Sequence, residues 1–224
     1  MITAVIASIL VGSLIWLDRA FVFQSMISRP VVLSPLLGII LGNVQAGLLV
    51  GASLELLWLN APPVGAYLPN DETFSAIVAT PAAVLACSSM SEMSAVGLAL
   101  VLSVPFSLLG RALDMHLRTI NQELLQDGMV NVEKKIVFIM KKALARSYLY
   151  ALISIGASVA LLSAAVHMVS SVLPGFLLSA LSYVPLISII IGLAGLTSKD
   201  LPGWPRAGVF VLGMAVVLML TWII

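Results

Sequence analysis

The chain has 224 residues, of which 61% are hydrophobic and only 9% charged, with a mean hydropathy of +1.14 and a formal net charge of +1. A water-soluble domain carries about 25% charged residues, so this composition predicts an integral membrane protein, and the absence of a basic excess argues against a nucleic-acid partner. The single cysteine, Cys87, excludes an intrachain disulfide and any CxxC metal site, and reads as a packing residue.

Apolar tracts near the roughly 20-residue length of a bilayer span recur along the whole chain, which predicts an all-α, polytopic fold rather than a β-barrel. Residues 2 to 17 form the first tract, closed by Asp18 and Arg19 and barely long enough to cross. No basic n-region or cleavage site precedes it, so it reads as a membrane segment. The short piece from Phe21 to Ser28 carries Gln24, lies between Arg19 and Arg29, and is expected at the membrane interface.

From Pro30 to Leu54 there is no charge, yet Pro35, Gly38, Gly42, Asn43, Gln45 and Gly47 interrupt the tract. The Gly38/Gly42 pair has the spacing that lets helices approach closely. The stretch from Leu48 to Glu72 follows, and it is the densest in functional signals. It places the carboxylate of Glu55 inside an apolar helix, breaks at Pro62, Pro63 and Gly65, and ends in Asn70, Asp71 and Glu72. An ionisable group at membrane depth marks a functional site by default, and broken backbone at that depth survives where it lines a cavity.

Thr73 to Ser91, containing Pro81, and Met93 to Gly110, containing Pro105, are the next apolar runs, with Glu92 at the turn between them. An internal duplication is suggested by Leu10-Val-Gly-Ser-Leu against Leu49-Val-Gly-Ala-Ser-Leu, each followed by Trp-Leu. Arg111 to Arg146 is the hydrophilic region, with seven basic residues, Arg111, Arg118, Lys134, Lys135, Lys141, Lys142 and Arg146. The positive-inside rule places it in the cytoplasm. Helices over 147–172, 176–196 and 207–224 follow, the last reaching a C-terminus outside, as is the N-terminus. Three units result: a broken-helix substrate core over 1–110, a basic cytoplasmic region over 111–146 and a three-helix scaffold over 147–224.

Glu55 and Trp58 are three residues apart and share a helix face. A carboxylate beside an aromatic plate suits a sugar, whose hydroxyls bond to the former while its C–H face packs on the latter. The competing reading pairs Glu55 with Arg29 or Arg19 as structural glue and makes Trp58 an interface anchor. Asn70 and Asp71 are candidates for substrate binding or for capping the next helix. Gln24 completes the candidate set. His116 and His167 belong to no metal-ligand spacing, and the chain offers no phosphoryl-accepting constellation. The paired lysines at 134–135 and 141–142 suit anionic lipid or a cytoplasmic partner.

The order and spacing of Leu17-Asp18 with Phe21-Val-Phe23 and Arg29-Pro30, then Leu41-Gly42 with Gly47 and Gly51, then Leu54-Glu55 with Trp58, and finally Gly65-Ala66 with Pro69-Asn70, resemble the sorbose/mannose-type membrane component IIC (EIIC) of the bacterial phosphoenolpyruvate-dependent sugar phosphotransferase system. The resemblance implies a sugar-translocating subunit in the bacterial cytoplasmic (inner) membrane, coupled to phosphorylation by a soluble IIB. Its partners would be a IID membrane subunit and the soluble carriers IIA and IIB, in an oligomeric assembly, with no cofactor and with the phosphorylated histidines on the soluble proteins. Where many relatives read Pro-Asp, this chain has Pro69-Asn70 and carries the acid at Asp71. Two alternatives remain open: a regulatory or scaffolding subunit without transport, and an ion-coupled secondary transporter with Glu55 as its coupling carboxylate.

Overall fold

The computed structural model describes residues 1–59, 68–124 and 132–197, with residues 207, 208, 211, 212 and 215. Eight helices are described: α1 (Ile2–Asp18), α2 (Pro30–Leu41), α3 (Val44–Trp58), α4 (Glu72–Ala86), α5 (Glu92–Glu123), α6 (Val132–Val172), α7 (Gly175–Leu181) and α8 (Val184–Thr197). Among the described residues, three stretches are long and apolar enough to cross a membrane, namely α5, residues 136–172 of α6, and the α7–α8 pair. The apolar helix expected over 147–172 is present within α6, while the one expected over 176–196 is divided at Ser182-Tyr183 into α7 and α8. The expected helix over 207–224, the loop with Lys199 and Arg206, and the break at Pro62, Pro63 and Gly65 lie outside the described residues.

The uncharged tract after Pro30 divides at Gly42-Asn43, for a reason legible in those two residues. Gly42 adopts φ +82°, the left-handed conformation that closes α2. The Asn43 side chain then caps α3 by accepting from the Ala46 N–H at 3.0 Å. The resulting hairpin is tight because α2 and α3 meet through small residues. A Cβ on Gly47 would collide with the Ser34 carbonyl, and one on Gly51 with the Pro30 carbonyl. The close pair is thus Gly38 with Gly47 across the hairpin, not Gly38 with Gly42, whose Cβ position faces open space.

Helix α4 is the axis of the bundle, packed by α1, α2, α3, α5 and α6. Every residue from Thr73 to Val84 is buried. Its alanines, serines and threonines let neighbours approach, and its hydroxyls find partners: Ser75 Oγ donates to the Ser103 carbonyl of α5 at 3.1 Å and Thr80 to Ala76 at 2.8 Å. Gly12 of α1 accepts Ile77 of α4, and Gly110 of α5 accepts Phe74. On α1 the opposite stripe, Ile2, Ile6, Leu10 and Leu14, is exposed with the four-residue period of a lipid-facing surface.

Two polar segments take a definite form. The piece from Phe21 to Ser28 is an irregular loop, with Phe23, Gln24 and Met26 at positive φ, drawn in because Asp18 Oδ1 accepts from both the Ser25 N–H at 2.9 Å and the Ser25 hydroxyl at 2.7 Å. In the hydrophilic region after Arg111, α5 runs unbroken to Glu123 and α6 begins at Val132. Arg146 Nη1 donates to the Ile120 carbonyl at 3.1 Å and Asn121 Nδ2 to Ser147 Oγ at 3.1 Å, so the end of α5 lies beside Arg146 and Ser147, well inside α6.

Helix ends do not all reach the same depth. The Asp71 N–H donates to the Ser107 carbonyl at 2.9 Å, which sets the start of α4 level with the middle of α5. Beyond Ser107, α5 continues to Glu123, about 24 Å further at ~1.5 Å per residue. The ends of α1 and α3 and the start of α2 gather at the α4 level, so four short helices stop well inside the basic end of the bundle.

Candidate functional site

Below those four helix ends lies a cavity of about 610 Å³, within the ~300–1,000 Å³ range of small-molecule sites. From α1 and its loop come Asp18, Arg19 and Gln24; from the start of α2, Arg29; from the end of α3, Trp58. Leu68, Pro69, Glu72 and Thr73 close one side, and Asp114 with Arg118 of α5 close the other. His116 of α5 lies 6.0 Å from Tyr150 of α6, ring centroid to centroid, so this charged part of α5 runs beside the apolar part of α6. The charged side chains of α5 at Asp114 and Arg118 are turned toward the cavity.

Each candidate from the sequence has a definite place. Trp58 and Gln24 line the cavity. Glu55 stands just behind it and bonds to the Arg29 guanidinium at 2.7 Å, with side-chain exposures of 14% for Glu55 and 43% for Arg29. The pairing with Arg29 weighed as an alternative for Glu55 is therefore present. It has a local cause: Arg29 provides no side-chain cap for α2, and a carboxylate at a helix N-terminus meets the unpaired N–H groups and the positive end of the dipole.

Asp71 is wholly buried and does not reach the cavity. As the cap of α4 it accepts from the Phe74 N–H at 2.8 Å on Oδ1, while Oδ2 accepts from Trp16 Nε1 at 2.8 Å and faces Arg19 Nη1 at 2.9 Å. Asn70 lines no part of the cavity, but its carbonyl accepts from Arg19 Nη2 at 3.4 Å. Both residues therefore act on Arg19, which does reach the cavity. Glu72 approaches the same guanidinium at 3.7 Å.

Asp114 and Arg118 were not singled out by the sequence. They form a two-pronged pair on α5, Arg118 Nε to Oδ1 and Nη2 to Oδ2, both at 3.1 Å. Their four-residue spacing was the available signal, but on a hydrophilic helix that spacing reads as an ordinary solvated pair. Among the described residues no cluster of three or more His, Cys, Asp or Glu could hold a metal ion.

A family model described as the PTS system sorbose-specific IIC component matches residues 1–223. The chain belongs to this family. Among curated relatives, it is 38% identical over 79 residues to the putative N-acetylgalactosamine permease IIC component 2 of Escherichia coli (strain K12), covering 35% of this chain and 55% of that one. It is 28% identical over 92 residues to the PTS system mannose-specific EIIC component of the same strain, and 32% identical over 92 residues to the fructose permease IIC component of Bacillus subtilis (strain 168), each match covering 41% of this chain and 32% of the relative. The matches thus span about half of the first relative and a third of the other two.

The fold is shared with solved membrane proteins. A chain from the mannose transporter ManYZ in complex with microcin E492 superposes with a TM-score of 0.62 at 18% identity, over 97% of this chain and 95% of that one. A second membrane-protein structure gives a TM-score of 0.67 at 20% identity over 96% of this chain and 86% of that one. The broken-helix arrangement belongs to a known architecture, and the chain is a polytopic membrane protein of the sorbose/mannose IIC class.

Proposed function

We propose that this chain is the sugar-translocating IIC subunit of a phosphotransferase complex in the bacterial inner membrane, working with a IID membrane subunit and soluble IIA and IIB. The observation that carries the reading is the cavity at the converging ends of α1 to α4. It combines an aromatic plate, Trp58, with the charged and polar side chains of Asp18, Arg19, Gln24, Arg29 and Glu72, and the lining by Asp114 and Arg118 sets it beside the basic half of α5. The positive-inside rule turns that end to the cytoplasm, where a sugar emerging from the bundle would meet IIB.

In this reading Trp58 packs against the sugar's C–H face and Gln24 bonds its hydroxyls. At the Glu55–Arg29 pair a sugar hydroxyl donates to the carboxylate and accepts from the guanidinium. Asn70 and Asp71 hold Arg19 in its place at the cavity. The identity of the sugar follows the named relatives as a panel: mannose, N-acetylgalactosamine, fructose and sorbose.

The test is uptake of each labelled sugar by vesicles containing this chain and its IID subunit, with and without phosphorylated IIB. Accumulation that requires both the chain and phosphorylated IIB is the expected result. Accumulation driven by an ion gradient alone would replace this reading with ion-coupled transport through Glu55.

A further inference from the structure

The arginines of the cavity share one property. Arg19 is paired with Asp71 and approaches Glu72, Arg29 is paired with Glu55, and Arg118 is paired with Asp114. Three lining carboxylates, Asp18, Glu72 and Asp114, balance the three lining arginines, and behind them Glu55 and Asp71 add two further negative charges. A solute entering from the basic end therefore meets guanidinium groups whose carboxylate partners are already in place.

Arg118 decides how far this holds. Its side chain is 53% exposed, the largest value among the three arginines, whereas Asp114 is only 3% exposed. A planar guanidinium with two free N–H edges is the preferred protein ligand for a phosphate ester. Here Nε and Nη2 are both turned to the buried carboxylate of their own helix.

We propose that Asp114 is the charge-selectivity residue of the cavity: by occupying the fork of Arg118 it leaves the cavity receptive to neutral polyols and unreceptive to their phosphate esters. This rests on the transport reading and adds a direction to it. A sugar that has acquired a phosphate at the basic end finds each lining guanidinium already neutralised by a carboxylate, and Arg118 with its Nε–Nη2 edge taken, and leaves. An anion would have to displace Asp114, and the displaced carboxylate, buried and near Asp71, would then lack a counter-charge.

The experiment compares the full chain with its Asp114→Asn and Asp114→Glu variants, in the membrane complex with IID. Displacement of the labelled sugar that binds from the panel is measured with the same unlabelled sugar and with its 6-phosphate, and inorganic phosphate binding is titrated separately at low and high salt. The expected result is a wild-type protein that binds the neutral sugar at least about tenfold tighter than the ester. Asp114→Asn should narrow that ratio and gain salt-sensitive phosphate binding, and Asp114→Glu should restore the wild-type ratio. A wild-type protein that binds the ester as tightly as the sugar overturns the proposal, whether or not the variants fold. An unchanged ratio in a folded Asp114→Asn protein overturns it too. If no sugar of the panel binds, while phosphate binds Asp114→Asn and not wild type, the transport reading falls and the charge-selectivity role of Asp114 stands.

Discussion

Arg19 Nη1 lies 2.9 Å from Asp71 Oδ2, joining the end of α1 to the start of α4 through a carboxylate with no solvent exposure. The same oxygen accepts from Trp16 Nε1 at 2.8 Å, and the other takes the Phe74 N–H. Replacing Asp71 by Asn leaves the shape but removes the nearer carboxylate of a largely buried cation, which keeps only Glu72 at 3.7 Å, so the loss is bounded by the about 3–5 kcal/mol of a fully broken buried pair. Asp71→Asn should therefore lower the thermal unfolding temperature sharply and reduce folded yield in detergent. An unchanged melting curve would show that Arg19 does not depend on this partner.

Glu55 calls for a different outcome. Its partner Arg29 is 43% exposed, so losing the pair costs the fold about 0–1 kcal/mol. Glu55→Gln should leave the protein folded. If the Glu55–Arg29 pair receives a sugar hydroxyl, losing a charge-assisted hydrogen bond of about 1.5–3 kcal/mol lowers affinity roughly 10- to 150-fold. Sugar affinity and thermal stability measured on one preparation decide the matter. Normal affinity in a destabilised protein would make Glu55 purely structural.

Two helical glycines, Gly47 in the α2–α3 hairpin and Gly156 on α6, predict opposite effects. Gly47→Ala forces a Cβ into the Ser34 carbonyl and should destabilise by about 1–3 kcal/mol. Gly156 on α6 has only Ile9 Cγ2 at 3.8 Å, an ordinary contact, so Gly156→Ala should be neutral or stabilising by up to about 1 kcal/mol. Thermal unfolding of the pair, side by side, checks both signs.

The topology is tested with single cysteines in a Cys87→Ser background. Gln122→Cys, exposed at the basic end of α5, should react with a membrane-impermeant maleimide only from the cytoplasmic side. Ser88→Cys, exposed in the connection between α4 and α5, should react only from the opposite side. Reversal of the two would invert the bundle and put the cavity mouth outside.

Much of this arrangement was legible in the chain because it depends on local chemistry. Gly42-Asn43 marks a helix stop and a helix start in two residues, and Asp71 sits where a cap is needed. Trp58 and Gln24 were singled out and line the cavity. The partners of Arg19 were not legible, because Asp71 is 52 positions away and only tertiary packing brings them together. The helical state of the hydrophilic span after Arg111 was not read from the sequence: its Arg, Leu, Met, Lys and Glu residues are good helix formers, but hydropathy alone does not separate a charged helix from a charged loop. Asp114 was hidden inside that span.

The shortness of α4 sets an electrical property of the protein. With 15 residues, of which Thr73 to Val84 are wholly enclosed, it is about 22 Å long at ~1.5 Å per residue, against a hydrocarbon thickness of about 30 Å. With water in the cavity up to its first turn, the insulator along this path would be the helix rather than the lipid. A transmembrane voltage dropped over that shorter distance would give a field along α4 about a third steeper than in the surrounding bilayer.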